Sequence, residues 1–250
     1  MKILIKVLLL AITTLCSSVS FAQTATKQIS HTTYSWVSIN SSLYINKQWF
    51  IMADAHLREN NFFSSTSFIF GRVGLGYQFN KNISAVVGYG NLLLSPTTAG
   101  WTTKSDENRI FEQVQLAAAY GKLKIVQRLR NEQRWVQIIA NDSKTGKNKF
   151  TNRVRYLFSA TYPVFKNPKL PQLTIADECM LQFGSAVVYN TFDQNRFFAG
   201  IKQKITNTLS FDAGYMRIFQ QKSNGSSYSL SDCYRLFFYY TLSAKKSSTK

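Results

Sequence analysis

With 250 residues, only four prolines and no Gly/Ser-rich linker, the chain has room for one large domain and shows no boundary for a second. Three cysteines, one of them near the N-terminus, are too few for a disulfide-built scaffold. A formal charge of +18 would suit a nucleic-acid binder, but the leader and the apolar patterning described below argue against that class.

The chain opens with MKILIKVLLLAITTLCSSVSFAQ. Lys2 and Lys6 form a positive start, Val7 to Leu15 a short apolar run, and Ser20-Phe21-Ala22 a small-x-small cleavage site. Residues 1–22 therefore read as a cleaved signal peptide, and residues 23–250 as a single barrel domain with a short basic C-terminal tail, "SAKKSSTK". The apolar run is shorter than the ~20 residues of a spanning helix. Thr-Thr-Leu before Cys16 lacks the small residue a lipoprotein would carry there. Loss of Lys2 and Lys6 lowers the charge from +18 to +16 and leaves Cys179 and Cys233.

Eleven segments follow in which side-chain character alternates with period two: 33–44, 49–58, 66–79, 82–92, 107–120, 122–135, 150–162, 172–181, 192–205, 208–220 and 230–242. Many are near the ~9–11 residues of a tilted membrane strand. One face is apolar and aromatic, as in Val73, Leu75, Tyr77 and Phe79, in Val154, Tyr156 and Phe158, and in Leu236, Phe238 and Tyr240. The other is polar, small or charged, as in Arg72, Gly74, Gly76 and Gln78. Trp49, Tyr77, Tyr120, Trp135 and Tyr162 near strand ends suit an interfacial girdle. Short turns at 45–48, 80–81, 121–122 and 206–208 alternate with long connections at 59–65, 93–106, 136–149, 181–191 and 221–229. This is the pattern of an all-β, transmembrane, antiparallel up-and-down β-barrel. Because bacterial single-chain barrels have even strand counts, about twelve strands are expected, with ten or fourteen as alternatives. Thr24–Thr32, or a second strand within 172–191, would supply the missing one. A secreted soluble sandwich or lipocalin-like barrel is the other architecture with this pattern. Gln127, Asn131, Gln133 and Glu112 fall on the apolar face, where a bulge would reset the register.

The stretches DENRIFEQVQ (106–115), QRLRNEQRW (127–135), RVRYLFSATYP (153–163), ADECM (176–180) and NRFFAGIKQKI (195–205) carry a resemblance. With them the chain resembles the uncharacterised Gram-negative outer-membrane barrels known as Domain of Unknown Function twenty-four-ninety. The resemblance runs from the Trp36 region to the last strand. It implies a barrel in the bacterial outer membrane and brings no activity with it.

The polar face is rich in arginine. With the short turns in the periplasm, Arg109, Arg130, Arg134, Arg153 and Arg155 fall in the outer half of three neighbouring strands, and Arg58, Arg196 and Arg235 near the same rim. Arg72 and Arg128 fall near mid-height. The inward acids are Asp54, Glu132, Glu178 and Asp212, and Glu132 alone is assigned to the patch of Arg130, Arg134, Arg153 and Arg155. Facing lipid at the midplane, each arginine would cost ~2–4 kcal/mol, so a lumen lining is expected. Two readings follow. Either the charges pair and fill a narrow, closed barrel with a structural or partner-binding role, or the excess arginine lines a porin-like, anion-preferring channel for small anionic solutes. The loop lysines Lys104, Lys144, Lys147, Lys149 and Lys222 suit lipopolysaccharide phosphates.

A third reading, a lipid-modifying enzyme, would need a Ser–His pair. His56 lies inward between Asp54 and Arg58, and His31 precedes the first clear strand. No cluster has metal-ligand spacing, the glycines of GLGYQF and GYGNLL open no helix, and no cofactor is expected. Cys179 and Cys233 fall on opposite faces, which argues against a disulfide between them.

Overall fold

Side chains that alternate about a pleated backbone put one set of residues on each face of a sheet. The long runs of that alternation here fold into eleven strands. The computed structural model describes residues 27–167 and 170–243. The strands are β1 (Gln28–Tyr44), β2 (Trp49–Asn60), β3 (Ser65–Asn80), β4 (Ile83–Leu94), β5 (Ser105–Tyr120), β6 (Leu123–Ala140), β7 (Ser143–Tyr162), β8 (Gln172–Phe183), β9 (Phe192–Lys204), β10 (Leu209–Gln221) and β11 (Ser227–Ser243). Each pairs antiparallel with its chain neighbours, and the sheet closes into a barrel where β1 pairs parallel with β11.

The expectation of twelve strands gives way to eleven. Gln28–Thr32 lengthen β1 rather than forming a strand of their own, and 172–191 holds one strand, β8. An odd count is geometrically permitted because the closing pair is parallel. The signal-peptide reading over 1–22 and the tail beyond Ser243 lie outside the described residues.

Loop lengths also depart from expectation. Residues 136–149 are no long loop. β6 and β7 run on as a hairpin to a two-residue turn at Asn141 and Asp142, whose φ values of 49° and 54° fit the twist of the flanking strands. Residues 61–64 make another tight turn, with positive φ at Asn61, Phe62 and Phe63. On the opposite rim the connection after β7 is longer than its neighbours and is bounded by Pro163 and Pro171, which cannot extend a sheet ladder.

The outer surface carries the apolar face. Leu129 is 53% exposed, and Val73, Leu75, Val87, Val114, Ile201 and Tyr240 are exposed likewise. Gln127, Asn131, Gln133 and Glu112 stay on this face, since β5 and β6 pair with no register shift. Glu112 accepts hydrogen bonds from Asn131 and Gln133, and Gln127 accepts one from Tyr156, so each of these polar side chains has a partner on the outer face.

The inside holds two apolar clusters. One joins Trp36, Ala176, Phe198, Met216, Ile218 and Cys233, the other Phe50, Met52, Val86 and Phe111. The phenyl rings lie against glycine pairs, Gly74 with Gly88 and Gly200 with Gly214. A Cβ at Gly88 would sit 2.6 Å from Phe111, and one at Gly200 2.6 Å from Phe198. Neither cysteine forms a disulfide; Cys233 faces inward and is buried.

Candidate functional site: the arginine wall of the lumen

Even positions of β6 point inward, so Arg128, Arg130, Glu132 and Arg134 share one line. Antiparallel pairing sets Arg155 of β7 opposite Arg130 and Arg153 opposite Glu132. On the other side β5 sets Arg109 opposite Arg134 and Gln113 opposite Arg130. β8 and β9 continue the row with Glu178 opposite Arg196.

Glu132, 2% exposed, holds the centre. Arg153 donates to its Oε2 at 2.6 Å and Arg155 to its Oε1 at 2.8 Å, while Arg109 and Arg130 stand at 3.6 and 3.7 Å. Arg130 donates through Nε to Gln113 at 2.9 Å. Glu178 accepts from Arg128 at 2.6 Å and Arg155 at 2.8 Å, with Arg196 at 3.7 Å. Two carboxylates absent from the sequence reading complete the set. Glu107 takes Arg134 at 2.6 Å and Arg109 at 2.7 Å, and Asp193 takes Arg153 at 3.0 Å.

All seven expected patch residues, Arg109, Arg128, Arg130, Arg134, Arg153, Arg155 and Arg196, are thus brought into one network with Glu107, Glu132, Glu178 and Asp193. Glu132 does not face the patch alone, which corrects the expectation of a single carboxylate there. Asp54 lies inward but outside the network, paired instead with Arg72. Asp212 pairs separately with Arg235 at 2.7 Å and accepts the Tyr239 hydroxyl at 2.6 Å. Because β6 and β7 run on to residues 140 and 143, Arg130 and Arg155 sit near the middle of their strands, not in the outer half. Arg235 is likewise central in β11. Four clustered arginines around one glutamate in a low-dielectric interior form a motif that anchors side chains and presents cationic edges to the space beside them.

That space is a cavity of about 730 Å³. Its lining runs from Leu94, Thr97 and Gln220 at one rim, past the arginines, to Thr161 and Thr241 at the other. A smaller recess of about 290 Å³ opens at the β9–β10 turn and is lined by Lys124, Lys202, Lys204 and Tyr239. The Lys202 ammonium lies 5.0 Å from the centre of the Tyr239 ring. These lysines escaped the sequence reading, although Lys202 follows Arg196 and Phe198 on the same alternation. Glu107 had a comparable signal, two residues before Arg109 on one strand face. Asp193 had none. It is buried beside Gln194, next to the register shift at Met180/Leu181, where simple alternation fails.

His56 packs between Phe70 and Phe237, at ring distances of 5.2 and 5.7 Å, with the Asp54 carboxylate 4.0 Å from Nε2.

No curated protein matches the chain in sequence. A solved structure described as the NanC porin in a rhombohedral crystal form aligns with a TM-score of 0.47 and 11% identity, over 81% of this chain and 91% of that one. The sequence profile of DUF2490, a family of proteins of unknown function, matches residues 33–229, so the chain belongs to that family.

Proposed function

We propose that the chain is a bacterial outer-membrane barrel that passes small anions through its arginine-rich lumen. The observation that carries this reading is the wall itself, in which seven arginines meet four carboxylates along a cavity lined from rim to rim. Cation excess in a low-dielectric wall attracts anions, and guanidinium forks match carboxylate and phosphate. The membrane location rests on the outer face, where apolar side chains stand exposed around a barrel whose closure leaves no sheet edge unpaired. Lysines of the long β6–β7 hairpin, such as Lys147 and Lys149, then meet lipopolysaccharide phosphates. The proposal includes no catalytic step and no cofactor.

A second reading, a closed barrel with a structural or partner-binding role, is favoured by the contacts of Glu132, which draw four guanidiniums across the interior. Reconstitution of the purified protein in a planar bilayer separates the two. An anion-selective current at low salt that weakens at 1 M, where the Debye length is ~3 Å, supports the channel. Replacing Arg130, Arg134 and Arg155 by Gln should cut or reverse that selectivity. A folded barrel without conductance supports the closed reading, and cation selectivity overturns the role given to the arginines.

A further inference from the structure

One inward arginine stands apart from the network. Arg58 has no carboxylate within 4.0 Å among the described residues, whereas the network arginines, Arg72 and Arg235 each have one. Glu59, next to it in the chain, turns to Thr66 instead, accepting its hydroxyl at 2.8 Å across the register shift at Arg58/Glu59. The cationic groups that act on Arg58 are Arg196, Arg155 and Arg109, all of its own sign.

The guanidinium lies 3.5 Å from the ring centre of Trp36, its cross-strand neighbour, and 4.5 Å from that of Phe68. Arg196 approaches the same indole at 4.9 Å. Trp36 is 5% exposed, and both its Nε1 and the Nε of Arg58 are buried without an acceptor. All of these side chains line the large cavity. A buried donor without an acceptor has given up its water and gained nothing in return. Here two such donors and a charge with no carboxylate beside it belong to two stacked side chains that line the cavity, and an anionic acceptor would satisfy all three.

We propose that Arg58, the Trp36 indole N–H and Arg196 form a binding subsite for a small organic carboxylate. A carboxylate accepts on both oxygens and carries the missing negative charge, whereas a cation or neutral solute supplies neither. The aromatic faces of Trp36 and Phe68 are occupied by the guanidinium, so they fix its plane rather than stack on the ligand. This inference rests on the anion-conducting reading of the lumen and gives it a substrate class.

The test uses the mature protein folded in detergent micelles, with acetate replacing chloride at constant ionic strength and tryptophan fluorescence as the readout. A saturable change is expected, with apparent affinity at least tenfold weaker in Arg58→Gln and the signal lost in Trp36→Phe. Arg217→Gln, whose guanidinium pairs with Asp232 on the outer face, should keep the wild-type response. If Arg58→Gln fails to fold, as judged by heat-modifiable mobility, Arg58→Lys keeps the charge and removes the Nε donor, and should weaken acetate by the same sense. A response that is linear in acetate, or unchanged in both Arg58 variants, overturns the subsite. Bilayer currents on the same preparation keep the two ideas apart. Saturable acetate binding without current retains the subsite and removes the channel. Anion current without saturable binding does the reverse.

Discussion

The wall from β5 to β9 and the wall from β10 through β1 to β4 follow the same alternation and are filled in opposite ways. The first is a continuous lattice of guanidinium and carboxylate groups centred on Glu132 and Glu178. The second is packed with Trp36, Phe50, Met52, Val86, Met216 and Ile218, and its charges stand as separate pairs, Asp54 with Arg72 and Asp212 with Arg235. One half is held by charge that must be matched, the other by volume that must be filled. On the packed side the ring tips of Phe50 and Phe111 fill room left where Gly76, Gly74 and Gly88 carry no Cβ.

Removing the central carboxylate should expose that difference most strongly. Glu132→Gln leaves Arg153 and Arg155 buried without their shared partner, and breaking a buried pair from one side costs about 3–5 kcal/mol. A correspondingly large fall in the urea midpoint of the micelle-folded barrel is expected, and a smaller one for Asp54→Asn, which releases a single arginine. Equal losses would mean that the lattice is no more than a sum of pairs. On the packed half the sensitive quantity is room. Gly88→Ala, on β4, would press a methyl group on the Phe111 ring and on the Gly74 Cα, 2.7 Å away. Overpacking of this kind costs about 1–3 kcal/mol, with ion selectivity unchanged. A variant of wild-type stability would show that Phe111 yields and that packing does not hold this side.

The smallest effect belongs to the hairpin tip above the charged wall. Asp142 accepts the backbone N–H of Thr103 at 2.7 Å and of Thr102 at 2.9 Å, which ties the loop after β4 to the β6–β7 turn. Those amides, Thr103 first, hold its carboxyl below the usual range. A lowered folded pKa means the tie is fully present above the ordinary aspartate value and is lost as pH falls through the lowered one. At neutral pH, Asp142→Asn should speed hydrogen exchange at Thr102 and Thr103 several-fold while the strands keep their protection. In the wild type the same amides should lose protection on acidification. Exchange indifferent to both changes would show that the loop is held by other contacts.

Much of this architecture was legible because the signal is local. Arg128, Arg130 and Arg134 declare an inward line through their spacing alone, and Leu129 and Trp135 between them declare the outer face. The separation of Cys179 from Cys233 follows from the same rule. What escaped depends on partners distant in the chain. Glu107 sits at the very start of a strand, where a two-residue period has barely begun, and Asp193 turns inward only beside a register shift. The extension of β6 and β7 hid in residues 136–149, whose lysines and Gly146 look like loop, although 136–137 pair with 148–149 and 139–140 with 143–144 on either side of a register shift. Alternation counted eleven segments, the number the structure has; the rule of even strand counts moved the expectation to twelve, because no segment's own sequence says that the seam closes in parallel.

That seam has a consequence for assembly. Gln28 pairs with Ser227 and Tyr44 with Ser243, so the closing contacts join residues about two hundred positions apart. Every other junction can zip from a local turn, but this one must wait for both extremities of the polypeptide to be present and aligned in the same direction. Running the same way, they also start together. The first described residues emerge at the rim of the β6–β7 hairpin and the last at the rim of the β9–β10 turn. Labels at Gln28 and at Ser243 therefore mark different sides of the membrane that the barrel is proposed to cross. Shortening the chain at one end should leave an open sheet rather than a narrower cylinder.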